Sequence, residues 1–109
     1  MKVNRRIVLC SDYLNGIARN VEAFIKDGCL EIEGQDLGAG VLGGDEEYEY
    51  FYSFNDTETK KFAKILIGNP LNLDSFLVAF AGCFSGSHWY FKFIEFCEEN
   101  ELHYSFFSC

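Results

Sequence analysis

The sequence predicts an α+β fold, with an antiparallel or mixed sheet of about four to five strands and about three helices on one face. Apolar and polar residues alternate with a period of two through the first half of the chain, as they do in strands. After about residue 55 apolar residues recur at helical spacing, and alternation returns near the end. The length of 109 residues is common for one domain, so we expect a single domain over 1–109.

The strands of the first half are indicated by alternation and by turn dipeptides. A β-favouring run spans 6–9, and Asn15-Gly16 is typical of a turn. Residues 18–25 alternate loosely, and Asp27-Gly28 predicts a two-residue hairpin turn. Residues 29–33 then alternate cleanly between glutamates and apolar residues, which predicts the second strand of that hairpin.

A glycine-rich stretch separates this hairpin from the strongest predicted strand. Residues 34–44 contain five glycines and predict a loop, with one short helical turn at 37–42. The predicted strand covers 46–54. One of its faces carries Tyr48, Tyr50, Tyr52 and Phe54, and the other carries Glu47, Glu49, Phe51 and Ser53.

Three helices and a closing strand are predicted for the second half. Asp56 is the expected N-cap of the first helix, Asn72 of the second and Ser87 of the third. Asn100 suits the left-handed residue that ends the third helix. Residues 102–107 alternate again and predict the last strand of the sheet.

The charge balance argues against nucleic-acid binding. Seventeen acidic residues against nine basic ones give a formal net charge of −8. Phosphate backbones are repelled by such a balance, whereas encounter with a cationic protein is accelerated. The alternative is that acidity only keeps a chain with 17% aromatic residues in solution.

The cysteines and the hydropathy pattern predict a cytoplasmic protein. The five cysteines are odd in number, and no pair has Cys-x-x-Cys spacing. The first apolar run is too short for a signal peptide, and no run approaches the roughly 20 residues that span a membrane. We therefore expect reduced thiols, three of them buried, and no membrane association. The cysteines are Cys10, Cys29, Cys83, Cys97 and Cys109.

Paired carboxylates on two predicted strands suggest a binding surface. Glu31 and Glu33 point one way, and so do Glu47 and Glu49. Such pairs could serve acid–base chemistry or metal binding, but neither strand supplies His or Asp partners. A solvated sheet face is the alternative.

The predicted partner-binding surface combines these acids with aromatic residues. Carboxylates would pair with Arg and Lys of a partner, and aromatic side chains would supply contact area. The competing interpretation places the tyrosines of strand 46–54 in the core. The candidate residues are Glu31, Glu33, Asp36, Asp45, Glu46, Glu47 and Glu49, with Phe51 or Trp89 as the anchor.

Other chemistry is weakly supported by the sequence. Cys83 and His88 lie five residues apart, and with His103 or Asp74 they could form a nucleophilic site. A Cys83 buried on the helix face is the simpler interpretation. A zinc site that adds Cys97 has no recognised spacing. The glycine-rich stretch has neither the dinucleotide nor the P-loop pattern, so no cofactor is expected.

Two segments resemble a group of small bacterial proteins with no settled function. Residues 30–38 contain a Glu-Gly-Gln-Asp-Leu-Gly turn, and 47–52 contain a Tyr-Glu-Tyr strand; the likeness extends over about 29–109. It implies no catalytic residues. In size and charge the chain is also similar in type to immunity proteins encoded beside secreted nuclease toxins.

These observations together predict an acidic protein-binding module. Its most concrete form is an immunity or antitoxin-type inhibitor that masks a basic toxin. Two alternatives stay open, namely a small cysteine-dependent enzyme and a homo-oligomeric accessory protein such as a homodimer. The second rests on the 12 phenylalanines, which exceed what one small core readily hides.

Overall fold

The protein is an antiparallel five-stranded sheet with three helices. The computed structural model describes residues 3–14, 16–39 and 45–108. The sheet has the order β1-β2-β3-β4-β5, with every neighbouring pair antiparallel. This confirms the predicted α+β fold class. The elements are β1 (Val3–Leu14), β2 (Ile17–Lys26), β3 (Cys29–Ala39), β4 (Asp45–Ser53), α1 (Asp56–Ile67), α2 (Leu73–Cys83), α3 (Trp89–Glu99) and β5 (Ser105–Ser108).

The β2–β3 hairpin is the one that the sequence predicts. Lys26 pairs with Cys29, which leaves Asp27 and Gly28 as a two-residue turn. Both turn residues have positive φ, 55° and 77°, as a type I′ turn requires. Two residues also connect β1 to β2; of these, Gly16 has φ 80°, and Asn15 lies outside the described residues.

The predicted loop at 34–44 is wrong over its first half. β3 continues to Ala39, so the run interpreted as a Glu-Gly-Gln-Asp-Leu-Gly turn is a strand paired on both sides. No helical turn forms at 37–39, and 40–44 lie outside the described residues. Gly34 fits this strand because the Tyr50 ring of β4 lies across it. A Cβ atom at position 34 would stand 2.6 Å from the Tyr50 hydroxyl oxygen and closer still to ring carbons.

The first two helices begin at asparagine caps. The Asn55 side chain accepts a hydrogen bond from the Glu58 N–H at 2.8 Å, so the predicted cap at Asp56 is wrong by one residue. Asp56 is instead the first helical residue, where its charge suits the helix dipole. Asn72 caps α2 as predicted and accepts from the Ser75 N–H at 3.1 Å.

The third helix and last strand differ in detail from the prediction. His88, not Ser87, is the cap residue of α3, and its side chain makes no cap hydrogen bond; the Ser87 hydroxyl donates to Asp12. Asn100 has φ −108°, and the left-handed residue is Glu101 with φ 52°. β5 begins at Ser105, three residues later than predicted, and it pairs with β4 at one edge of the sheet.

The core lies between the helices and one face of the sheet. It is mostly aromatic, with Phe54, Phe62, Phe76, Phe80 and Phe93 almost wholly buried. Among the 12 phenylalanines, three are exposed: Phe91, Phe106 and Phe107. No described helix has the length and apolar character needed to cross a membrane.

The cysteines only partly match their predicted burial. Cys10 and Cys97 are buried and Cys29 is half-buried, all as free thiols. Cys83 is exposed, which contradicts its predicted place in the core. It lies in the last turn of α2, at the margin of the stripe formed by the buried Phe76 and Phe80. Cys109 lies outside the described residues.

Candidate functional site

The sheet face that points away from the helices, here called the open face, gathers five glutamates. Strand alternation and register place them side by side: Glu22 pairs with Glu33, which in turn pairs with Phe51. Neighbouring strands are about 4.8 Å apart, so these side chains share one surface. The five are Glu22, Glu31, Glu33, Glu47 and Glu49.

A single arginine bridges two of these glutamates. The Arg6 guanidinium lies 3.2 Å from Glu22 Oε1 and 2.9 Å from Glu33 Oε1. It also lies over the Phe24 ring, 4.1 Å from its centroid, and so covers that side chain. Partial burial acts to lower the pKa of Arg6, but the hydrogen bonds to both glutamates raise it above its ordinary value.

The remaining carboxylates leave the open face with excess negative charge. Ser53 donates to Glu31 Oε1 at 2.6 Å, and the Gln35 amide donates to Glu47; neither donor carries charge. Among the described strand residues, alternation places only two basic residues here, Arg6 and Lys26. A groove of about 350 Å³ runs along this surface, lined by Asn20, Glu22, Glu33, Gly34, Gln35 and Glu49.

Aromatic and aliphatic side chains adjoin the carboxylates. The rings of Phe51 and Phe107 lie 5.9 Å apart across the β4–β5 pair. Phe107 is 61% exposed, and Leu37 beside Glu47 is also exposed. An acidic groove flanked by exposed apolar groups can bind the guanidinium and ammonium groups of a protein together with their alkyl stems.

The structure brings together five of the nine predicted partner-binding residues. Glu31, Glu33, Glu47, Glu49 and Phe51 share the open face. Of the other four, two lie on the opposite side of the sheet, and two have side chains outside the described residues.

Two of these four lie on the helix side. Asp36 lies on the opposite face of β3, and Trp89 is only 4% exposed, packed against Tyr52 in the core. For the other two, Asp45 and Glu46, the backbone belongs to β4, but their side chains lie outside the described residues.

Four members of the open face were not predicted from the sequence. Glu22 and Phe24 alternate along β2, and the hairpin register set by the Asp27-Gly28 turn could have placed Glu22 opposite Glu33. Arg6 and Phe107 join through β1 and β5, whose pairing partners no local pattern identifies.

The helix side of the sheet carries a second polar cluster. Arg19 forms a two-point ion pair with Asp12, at 2.8 Å from Nε and 2.6 Å from Nη2. The Ser87 hydroxyl donates to the same carboxylate at 2.8 Å. These bonds, chiefly that from Arg19, hold the pKa of Asp12 far below its ordinary value. The bond to Asp12 in turn raises the pKa of Arg19.

Asp36 beside this pair has an unsatisfied oxygen. Its Oδ1 atom is buried, and no hydrogen-bond partner for it lies within the described part of the chain. Burial raises the pKa of Asp36, and the nearby Arg19 partly opposes that shift. A cavity of about 310 Å³ opens here, which we call the tyrosine pocket. It is lined by Arg19, Asp36, Tyr48, Tyr50, Tyr52, Ser87, Trp89, Tyr90, Phe91 and Phe106.

The geometry excludes the predicted pairing of Asp74 with Cys83. Asp74 and Cys83 are nine residues apart on α2, about 13 Å at 1.5 Å per residue, too far to act together. The His103 backbone N–H donates to Glu58 at 2.9 Å. Within 3–14, 16–39 and 45–108, no three His, Cys, Asp or Glu residues are grouped to hold a metal ion.

Comparisons with known proteins give no relative from which to transfer a function. No family model, curated protein or solved structure matches the chain.

Proposed function

We propose that this chain is an acidic protein-binding module whose open face binds a basic protein. The observation that supports it is the gathering of five glutamates on the sheet face that points away from the helices. Among the described strand residues, only Arg6 and Lys26 oppose their charge there. Single exposed ion pairs contribute at most about 1 kcal/mol, so no one glutamate would dominate. Their summed field would accelerate encounter with a cationic surface and select against acidic partners.

The aromatic pair of Phe51 and Phe107 supplies apolar contact area, which charge alone does not. Phe107 is exposed next to the half-buried Phe51, at the edge of the acidic groove. Aromatic residues with polar surroundings are typical of the few interface residues that carry most binding energy. A partner that presents Arg or Lys beside an apolar residue would fit both parts of this surface.

The specific form of the proposal is an immunity-type inhibitor acting in the cytoplasm. A toxin that cleaves nucleic acid must present a basic surface to its substrate. A preformed acidic face could cover that surface without a large rearrangement, and it would compete directly with the phosphate backbone.

The proposal is tested by expressing the chain together with the products of its neighbouring genes. We expect one basic protein that stops growth when expressed alone and is harmless when co-expressed with this chain. The open-face variant Glu47→Lys/Glu49→Lys should lose both protection and retention of that protein in a pull-down.

A matched control separates the open face from net charge. Glu95→Lys/Glu99→Lys makes the same change in charge on exposed positions of α3. It should protect as the parent chain does, and circular dichroism should show both variants folded. Equal protection by the two variants would contradict the assignment of the surface, and no toxic neighbouring product would contradict the immunity form.

A further inference from the structure

The tyrosine pocket lies on the opposite side of the sheet from the open face, and the proposed function does not use it. Asp12, Arg19 and Asp36 come from β1, β2 and β3, and Tyr48 and Tyr50 come from β4. We propose that this pocket binds a primary ammonium group carried on an apolar chain, either as a free amine or as a lysine side chain.

The carboxyl group of Asp36 supplies the acceptor. Buried polar atoms are almost always hydrogen-bonded, and an unpaired carboxylate oxygen is costly. Oδ1 of Asp36 is buried and has no partner among the described residues, and the Asp36 side chain is part of the lining of an open cavity. Binding of a ligand N–H group to this carboxyl group would offset that cost.

The charge of the cluster selects a cation. Arg19 is the positive group of the pocket lining, and its two-point ion pair with Asp12 neutralises it. Of the three charged groups, Asp36 is then the one without an ion-pair partner among the described residues. This carboxylate would repel an anion, whereas a cation at short range would compensate its negative charge.

The aromatic walls suit an ammonium group and its stem. The rings of Tyr48 and Tyr50 lie 5.6 Å apart on one side of the pocket. Tyr90, Phe91 and Phe106 are exposed on the other side. Aromatic faces attract cations within about 6 Å and also cover the apolar stem.

A primary ammonium fits better than the other organic cations. A quaternary ammonium has no N–H to donate to Asp36. A guanidinium is recognised best by two carboxylate oxygens at once, whereas Oδ1 of Asp36 is buried, which leaves at most one oxygen of this carboxyl group open to the cavity. An ammonium is a compact charge that needs only one such acceptor.

The test uses the single tryptophan as a reporter. Trp89 is the one tryptophan of the chain and lines the pocket, so binding should alter its emission. The probes are n-butylammonium, tetramethylammonium and the neutral n-butanol, each titrated by fluorescence and by calorimetry. We expect n-butylammonium to bind at one site, with at least tenfold weaker binding of the other two.

Two variants test which residue holds the cation. Asp36→Asn keeps the shape and removes the charge, and it should weaken n-butylammonium binding at least tenfold. Asp74→Asn makes the same change at an exposed position of α2 and should leave binding unaltered. Circular dichroism should show both variants folded. Undetectable binding of n-butylammonium, equal binding of n-butanol, or full binding by Asp36→Asn would each overturn the proposal.

A last arm distinguishes the two sources of the ammonium. N-acetyl-lysine methylamide carries the side chain on a peptide backbone. Binding as tight as that of n-butylammonium, and lost in Asp36→Asn, supports a lysine side chain as the occupant. Exclusion of the peptide form while n-butylammonium binds supports a free amine.

Discussion

Replacing Gly34 with alanine should destabilise the protein because the Tyr50 ring occupies the space of the new methyl group. A Cβ atom there would stand 2.6 Å from the Tyr50 hydroxyl oxygen and closer to two ring carbons. Ordinary contacts are about 3.5–4.0 Å, so the ring must move by about 1 Å or more. Such overpacking costs about 1–3 kcal/mol. In a domain of this size, that lowers Tm by about 4–12 °C.

The same substitution at Gly82 is the matched control. Gly82 lies in α2, exposed, and a Cβ there meets no atom within 4 Å. Alanine favours a helix over glycine by about 0.5–1 kcal/mol, so Gly82→Ala should be neutral or stabilising. Urea unfolding followed by circular dichroism measures both variants.

A double-mutant cycle isolates the contact with the ring. Tyr50→Ala removes the ring and has its own cost in stability. In the Tyr50→Ala background, Gly34→Ala should cost less than about 0.5 kcal/mol. The interaction energy should therefore offset most of the cost of Gly34→Ala. A Gly34→Ala variant as stable as the parent, or one equally destabilised without the ring, would refute this account of Gly34.

Three further predictions concern titratable groups. Burial raises the pKa of Asp36, so the ionised form of this residue destabilises the fold at neutral pH. Asp36→Asn should therefore raise Tm at pH 7, and it should change Tm little below the ordinary aspartate pKa. The pKa of Asp12 is lowered, so its ion pair with Arg19 stabilises the fold above the ordinary aspartate pKa, and this stabilisation is lost as pH falls through the folded-state pKa. Asp12→Asn should therefore flatten the acid side of the Tm–pH profile. An unchanged profile would contradict this. Burial raises the pKa of Cys97 to about 12, so iodoacetamide should label exposed Cys83 long before Cys97, and an abnormally fast Cys83 would favour the enzymatic alternative.

Local patterns predict those elements whose cause is local. The β2–β3 hairpin is recognised because Asp27-Gly28 supplies the positive φ of its turn, and because Leu30 and Ile32 alternate into the core. Asn72 is recognised as a cap because its side chain bonds within its own first turn. These signals need no knowledge of distant residues.

The failures have non-local causes. Gly34 looks like a loop residue until Tyr50 is placed across it, sixteen positions later. The tyrosine pocket depends on the register that brings Asp12, Arg19 and Asp36 together from three strands. The Ser87 hydroxyl donates to Asp12, 75 residues away, a contact that no local pattern indicates.

The most direct test of the open face is the association rate constant with the basic protein identified by co-expression, measured by stopped flow at low and high salt. For the parent chain and for Glu95→Lys/Glu99→Lys, the rate should be high at low salt and fall steeply as salt rises. For Glu47→Lys/Glu49→Lys, it should be about tenfold lower at low salt and depend less on salt. The same rates and salt dependence in all three proteins would contradict the claim that the open face binds the partner.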